Sequence, residues 1–333
     1  MSTHSNYISS SGARRGRGIV AGAIVASLAL ALTGCGGTSS TEPAPDITLP
    51  AEVVDGFTVP AASDKGGEDN PVRIGVVGAS NPQFQVLQDA ALAEGIHLEY
   101  QDFTDYAQPN PALSAGELDL NQFQHIIYLA QYNIDAGDDL VPIGATAIYP
   151  IGLYSKEYTS PATIPDGATI VVPDDQTNQA RGLQVLQSAG LIQIHSGASP
   201  LFSQVSDIDE AASRVTVTAV AADQTARSLD DPSIAGAIIN NDYITQAGLS
   251  AHDAIAQDDP DSSAAAPFIN IWVSRPDEAD SPVYAEIIRL AHSKEWSDAL
   301  QENSDGTAVL IDQTPAQLQA TLDDVEQQLR DNA

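Results

Sequence analysis

Residues 72–103, VRIGVVGASNPQFQVLQDAALAEGIHLEYQDF, contain the pattern that decides the fold class of this chain. Residues 72–78 are mostly apolar and end in glycine, which is typical of a buried strand. Apolar residues then recur at helical spacing over 82–94, and residues 97–103 alternate as in a second strand. This stretch therefore predicts a strand, a helix and another strand in succession.

The same alternation continues to the end of the chain. Asp174 or Asp175 is expected to cap a helix that runs to Ala189, and Gly190 is expected to end it. Further helices are predicted at 111–115, 126–136, 243–247, 279–292 and 315–330, and further strands at 140–148, 151–154, 168–172, 215–220, 235–239 and 268–273. This order predicts an α/β fold with mainly parallel sheets.

The N-terminus has the features of a bacterial lipoprotein export signal. Three arginines in residues 14–17 precede an uncharged apolar run at 19–32, and Cys35 follows shortly after it. The run is about 14 residues long, whereas a membrane-spanning helix needs about 20. We therefore expect residues 1–34 to be a signal peptide and the thiol of Cys35 to carry lipid.

The chain after Cys35 is expected to lie outside the cytoplasm, anchored to the membrane by its lipid. Residues 35–71 are rich in Pro, Thr, Ser, Gly and acidic residues, which is typical of a flexible linker. Because Cys35 is the only cysteine in 333 residues, no disulfide is expected. The domain must then be stabilised by its hydrophobic core.

Composition and motifs exclude several classes of function. The formal net charge of −32 disfavours binding to nucleic acid and to anionic lipid. The sequence contains no Gly-x-Ser-x-Gly motif, no phosphate-binding loop and no dinucleotide fingerprint. Its six histidines are scattered. We therefore predict no catalysis, no cofactor and no metal site.

Residues 101–128 form one candidate binding segment, because aromatic residues cluster there although they make up only 5% of the chain. They would form either part of the core or a pocket at the carboxyl ends of the strands, where open α/β sheets bind ligands. The aromatic residues and the histidine concerned are Phe103, Tyr106, Phe123, His125 and Tyr128.

Residues 171–181, VVPDDQTNQAR, form a second candidate segment in which a strand ends and a helix begins. Asn178 and Arg181 are three residues apart, so they share a face of this helix. The free N–H groups of a helix start favour an anion, and arginine matches the shape of a carboxylate. The alternative is an Arg181 that pairs with one of the many surface acids.

Both segments resemble the NlpA family of lipoproteins, the methionine-binding proteins of ABC importers. The resemblance covers about residues 72–300. Its motifs read Phe103-Thr104-Asp105-Tyr106, Gln108-Pro109-Asn110-Pro111-Ala112-Leu113, Gly116-Glu117-Leu118-Asp119, Phe123-Gln124-His125, Tyr149-Pro150, Thr177-Asn178 with Arg181, Arg227-Ser228-Leu229-Asp230-Asp231 and Asn240. The chain departs from the family pattern at Asp174, at Gly182, where Ser or Ala is usual, and in an acid-rich segment at 252–266 that is longer than usual.

The resemblance implies a two-lobed α/β fold like that of periplasmic binding proteins, a Venus flytrap with a two-stranded hinge. The first lobe would comprise residues 72–148 and 267–333, and the second residues 149–266. Arg181 and Asn178 would hold the α-carboxylate of the ligand, with Asn240 near its α-amino group. The side chain of the ligand would be wrapped by Phe103, Tyr106, Phe123, His125, Tyr128 and Tyr149.

The expected function is capture of methionine and its delivery to the membrane permease of an ABC importer. One alternative is a binding protein for another amino acid or for a short methionine peptide. Two others are an exported enzyme acting on an amino acid or wall peptide, and a structural envelope lipoprotein. The enzyme would need a nucleophile or cofactor site, and a structural protein would give no reason for Arg181 at a polar helix start.

Overall fold

The structure is a computed structural model that describes residues 54–332. The predicted signal peptide and Cys35 lie outside the described residues. The strands are, in chain order, β1 (Val72–Val77), β2 (Leu98–Phe103), β3 (Leu120–His125), β4 (Val141–Ala145), β5 (Ala147–Ile148), β6 (Gly152–Tyr154), β7 (Thr169–Pro173), β8 (Thr216–Val220), β9 (Ile234–Ile239), β10 (Ala256–Gln257), β11 (Asn270–Ser274) and β12 (Val309–Leu310). The helices are α1 (Pro82–Ala93), α2 (Pro109–Ser114), α3 (Ile126–Ala136), α4 (Gln176–Ser188), α5 (Ala222–Ser228), α6 (Pro282–Leu290), α7 (Lys294–Asn303) and α8 (Pro315–Asn332).

The strands form two five-stranded sheets, which confirms the predicted α/β class. The first sheet has the order β2-β1-β3-β11-β4, and the second has the order β10-β6-β9-β7-β8. A short third sheet joins β5 to β12. All strands of the first sheet lie within the segments predicted for the first lobe, and all strands of the second within those predicted for the second lobe.

The prediction of mainly parallel sheets is wrong, because each sheet is mixed. Strand β1 runs parallel to β2 and β3, but β11 runs antiparallel to β3 and β4. In the second sheet β7 is parallel to β8 and β9, whereas β6 is antiparallel to β9 and β10. Parallel neighbours need a long crossover, usually a helix, and β11 enters the first sheet from a distant part of the chain, so no such crossover sets its direction.

The strand–helix–strand unit at 72–103 forms as the sequence predicts. Strand β1 is almost wholly buried, as expected of a parallel strand covered on both faces. Gly78 follows the strand directly, and its φ of 78° is in the left-handed region that favours glycine. Helix α1 then begins with Pro82 at its first turn, where the missing N–H costs nothing, and buries Phe84 and Leu87.

Helices α3 and α4 begin at the edges of the sheets that face the candidate site. The Nδ1 atom of His125 caps α3 by accepting a hydrogen bond from the backbone N–H of Tyr128, and Gly137 ends the helix in the left-handed conformation. Asp175, rather than Asp174, caps α4, since its carboxylate accepts from the N–H of Asn178 at 2.9 Å. Both caps thus fix candidate binding residues in place.

Other elements differ from the sequence expectation. Strand β3 and helices α5 and α7 are additional elements that the sequence pattern does not predict. The single strand expected at 140–148 is divided into β4 and β5 at Thr146, whose N–H bonds to the carbonyl of Asn270. The helix expected at 243–247 is a 3-10 turn over Asn241–Ala247.

Candidate functional site

A cavity lies where residues that follow the strands of both sheets meet. Its free space is about 50 Å³, several times the roughly 10–15 Å³ that one water molecule needs. Eight of the nine predicted binding residues line it: Tyr106, Phe123, His125, Tyr128, Tyr149, Asn178, Arg181 and Asn240. Lining residues that the sequence analysis did not single out include Gln83, Gln122, Gln124, Asn241, Asp242 and Asn270.

Phe103 is the predicted binding residue that does not line this cavity. It ends strand β2 and is buried in the hydrophobic core. A Cβ atom added at Gly75 would lie 3.2 Å from the Cε2 atom of Phe103, so the ring packs directly on strand β1. The pattern at 101–128 therefore contains one core aromatic residue beside the residues of the cavity.

Arg181 is the charged centre of the cavity, and it is only 5% exposed. Its Nε atom donates to Oδ2 of Asp258 at 2.6 Å, and its Nη2 atom donates to the carbonyl of Tyr149 at 2.7 Å. Its guanidinium group stacks 4.3 Å from the ring centroid of Phe268, a favourable cation–π geometry. Among the described residues the third nitrogen, Nη1, has no hydrogen-bond partner.

Asp258 supplies the counter-ion of Arg181, so Arg181 does pair with an acid, as the alternative interpretation expected, although the pair is largely buried and the sequence did not identify Asp258. It follows β10 in the acid-rich segment at 252–266, and its Oδ1 atom accepts from the N–H of Ile151 at 2.9 Å. Arg181 and Asp258 thus both bond to the backbone at 149–151, where the chain passes from β5 to β6. Arg181 is neither a surface arginine nor an unpaired charge.

His125 and Asn178 join the ends of the two sheets. The backbone N–H of Tyr128 donates to Nδ1 of His125 at 3.2 Å, so Nε2 carries the proton and donates to Oδ1 of Asn178 at 3.1 Å. Burial and the nearby charge of Arg181 lower the pKa of His125 to about 3. The imidazole is therefore neutral near pH 7.

The amide group of Asn178 is held from its other side by the helix cap. Its Nδ2 atom donates to Oδ1 of Asp175 at 2.9 Å. Because both ends of the amide are bonded within the protein, its orientation is fixed before any ligand binds.

Four rings form a continuous aromatic wall in the cavity. Tyr106 lies 5.9 Å from Phe123 and 6.2 Å from Tyr128 between ring centroids, and Phe123 lies 5.8 Å from Tyr128. His125 adds an edge contact to Tyr128 at 6.2 Å. These tilted and edge arrangements are the favourable ones for aromatic pairs.

Asp242 is a second acid of the site that the sequence analysis did not predict. It lines the cavity in the 3-10 turn after β9, and the hydroxyl of Tyr106 donates to its Oδ2 atom at 2.6 Å. Burial raises the pKa of Asp242 to about 6. Nearby, Oδ1 of Asn240 is buried and has no hydrogen-bond partner among the described residues.

Strand β3 places polar side chains under the cavity although all of its residues are buried. Asn110, Asn121 and Gln124 bond to one another through four side-chain hydrogen bonds of 2.6–2.9 Å. Such a satisfied network holds Gln124 in one orientation at the cavity wall.

The described residues contain neither a candidate metal site nor a candidate membrane-spanning helix. Within residues 54–332, His, Cys, Asp and Glu side chains form no group that could hold a metal ion. No helix in the same range is both long and apolar enough to cross a membrane.

Comparisons with known proteins identify relatives over most of the chain. Residues 72–311 match the family described as NlpA lipoprotein. The D-methionine-binding lipoprotein MetQ of Salmonella typhi is 39% identical over 245 residues, which are 73% of this chain and 89% of that protein.

Solved structures of similar proteins have the same fold. One is the substrate binding protein of a methionine transporter from Streptococcus pneumoniae, with a TM-score of 0.66, 35% identity and coverage of 72% of this chain and 95% of that chain. Another is a nutrient binding protein from Burkholderia cenocepacia bound to methionine, with a TM-score of 0.66, 33% identity and coverage of 72% and 99%. The predicted binding-protein fold is thereby confirmed, and the chain belongs to the NlpA lipoprotein family.

Proposed function

We propose that this protein is a lipid-anchored solute-binding protein that captures methionine in the cavity and delivers it to the permease of an ABC importer. One observation carries the proposal: a buried arginine with a free nitrogen and an aromatic wall line the same cavity. Relatives named for binding methionine support it. Binding and release require no bond to change, so we propose no reaction.

The two ends of the ligand would be bound by different parts of the cavity. Nη1 of Arg181 would donate to the α-carboxylate, with the preoriented amide of Asn178 beside it. The thioether would pack on Tyr106, Phe123 and Tyr128, since sulfur contacts with ring edges are worth about 0.3–1.5 kcal/mol each. Tyr149 would close the wall on one side, and Asn240 would lie near the α-amino group.

The neutral state of His125 is compatible with the proposed binding of the ligand beside Arg181. A protonated imidazole would repel the guanidinium of Arg181 and would place a second buried charge beside an apolar side chain. The neutral ring offers an edge to the thioether and keeps its proton on the bond to Asn178.

Delivery would depend on two lobes and on the anchor. We place the first lobe at 72–148 and 267–333 and the second at 149–266, so that the ligand is enclosed when they close. Lipid on Cys35 and the linker that follows it would keep the closed protein near its permease. The domain would then lie on the extracytoplasmic face of the membrane. The expected linker to residue 71 is too long, because Phe57 packs against the core beside β1 and Lys65 pairs with Asp119 at 2.9 Å.

The proposal is tested by isothermal titration calorimetry of the purified protein in detergent with methionine, leucine and glutamate. Methionine should bind far more tightly than leucine, which lacks the sulfur. Glutamate should bind weakly, because its second carboxylate meets a strongly acidic protein. Tight binding of glutamate without binding of methionine would overturn the assignment.

A short methionine peptide is the second candidate, because a second cavity adjoins the first. This cavity has a volume of about 440 Å³ and shares Tyr106 and Tyr128 with the first. Its remaining lining comes mainly from α3 and the start of α4. If Gly-Met binds more tightly than free methionine in the same titration, the ligand extends into this second cavity.

A further inference from the structure

Asp242 is a half-buried carboxylate to which the proposed function assigns no role. It lies in the 3-10 turn over Asn241–Ala247, on the wall of the cavity. Its Oδ2 atom accepts a hydrogen bond from the hydroxyl of Tyr106, and the neighbouring side chain of Asn241 favours the ionised form of the carboxylate. A carboxylate can accept about four hydrogen bonds, so the bond from Tyr106 leaves acceptor capacity on the wall of the cavity.

The charges around the cavity do not balance within the protein. Arg181 is matched by Asp258 at 2.6 Å, and His125 is neutral because its pKa lies near 3. The other titratable groups near Asp242 are Tyr106, Tyr149 and Tyr243, and burial raises the pKa of all three phenols, so none is charged near pH 7. An ionised Asp242 therefore lacks a cationic partner among the described residues that line the cavity.

We propose that Asp242 receives the cationic amino group of the ligand, with Oδ1 of Asn240 as a second acceptor. The inference rests on the proposed function and adds a requirement to it: the site selects amino acids with a free ammonium group and rejects those whose nitrogen is acylated or missing. An ammonium group carries three donors, and it would satisfy both the half-buried carboxylate of Asp242 and the unpartnered amide oxygen of Asn240.

Tyr106 links this charge recognition to recognition of the side chain. Its ring belongs to the aromatic wall, and its hydroxyl fixes one oxygen of Asp242 at 2.6 Å. The carboxylate is therefore oriented by the same residue that contacts the apolar part of the ligand. Tyr106 acts as a positioning residue for Asp242.

The test compares two ligands on two proteins by calorimetry near pH 7.5. The ligands are L-methionine and 4-(methylthio)butanoate, which is methionine without its amino group. In the wild-type protein the second ligand should bind at least tenfold more weakly. Because a hydrogen-bonded charged group contributes about 1.5–3 kcal/mol, Asp242→Asn should weaken methionine binding roughly 10- to 100-fold. The same change should leave the affinity for 4-(methylthio)butanoate within about threefold.

Asp261→Asn is the matched control, because it removes one acidic charge from an exposed position. It should leave the affinity for methionine unchanged. An Asp242→Asn variant that loses affinity for both ligands equally would reduce Asp242 to a structural role and overturn the inference. So would unchanged methionine affinity in that variant. A wild-type protein that binds leucine or glutamate but no methionine would instead overturn the proposed function itself.

Discussion

Arg181 already has a counter-ion, Asp258, in the protein without ligand. This pair limits which nitrogen atom of Arg181 a ligand can bind. A buried arginine without a partner would be costly, and the pair with Asp258 removes much of that cost. In the proposed complex the ligand carboxylate would therefore share the guanidinium group with Asp258 instead of replacing Asp258. Two bonds, to Asp258 and to the carbonyl of Tyr149, keep the group immobile while Nη1 stays available.

Asp242 should lower the stability of the empty protein at neutral pH. Its pKa is raised from 3.8 to about 6 by burial, so the folded state binds this proton more tightly than the unfolded state. The resulting stabilisation is fully present below pH 3.8 and is lost as the pH rises through about 6.

Asp242→Asn removes this titration and leaves in place that of Asp175, whose pKa burial also raises to about 6. The free energy of unfolding of the variant, relative to the wild type, should rise by up to about 3 kcal/mol between pH 4 and pH 7. Urea unfolding of both proteins across this pH range measures it. A constant difference between the two curves would show that Asp242 titrates normally. Functional sites usually lower the stability of a protein. An Asp242→Asn variant that is less stable than the wild type near pH 7 would show the opposite for this acid.

The sequence predicted residues that line the cavity where a local pattern exists, and it failed to predict their partners where these are distant in the chain. Asn178 and Arg181 share one helix face, and the aromatic residues lie within one short segment. Asp258 is 77 residues from Arg181, and Asp242 is 136 residues from Tyr106. No local spacing reports such pairs, and in a chain with 45 acidic residues one more aspartate carries no signal.

At the scale of elements, the missed strand β3 shows the same limit. Its sequence, Leu-Asn-Gln-Phe-Gln-His, is mostly polar, yet all six residues are buried. Alternation of apolar and polar residues cannot identify a strand whose polar side chains bond to each other inside the protein. Strand β1 and helix α1 were predictable, because water exclusion alone explains their apolar patterns.

Gly182 is explained by the packing of α4 on β9. A Cβ atom at Gly182 would lie 2.9 Å from Cγ2 of Ile238, a fully buried residue. Overpacking of a core costs about 1–3 kcal/mol, while alanine gains about 1 kcal/mol over glycine in a helix. Gly182→Ala should therefore lower the free energy of unfolding by roughly 1 kcal/mol, as measured by urea denaturation.

A double-mutant cycle identifies the contact responsible. Ile238→Ala alone should cost about 2–5 kcal/mol, and in the Gly182→Ala background it should cost less, since the added methyl group fills part of the space. Strictly additive effects would mean that the two residues do not compete for space.

Because Arg181 precedes Gly182, Gly182→Ala should also weaken binding of methionine.

In the whole molecule the cavity depends on both sheets, and the proposed delivery depends on a lipid anchor. Cys35→Ala should leave the domain folded but without lipid. Phase separation in detergent should then move the variant from the detergent phase to the aqueous phase, with circular dichroism as the check on folding. A variant that remains in the detergent phase with the parent would show that another feature anchors the chain.

Capture of methionine through Arg181 can be checked by comparing the dissociation constants of the wild type and of one variant. Truncating one member of a buried charged pair costs roughly 2–5 kcal/mol. Calorimetric titration of Arg181→Ala with methionine should therefore show binding about 30- to 4000-fold weaker than in the wild type.

Arg330→Ala is the control for this titration, because Arg330 is half exposed on α8 and pairs with Glu326 one helical turn away. An exposed pair is worth about 0–1 kcal/mol to stability, so methionine should bind this variant as it binds the wild type. An Arg181→Ala protein that is folded by circular dichroism and binds methionine with an unchanged dissociation constant would contradict the account.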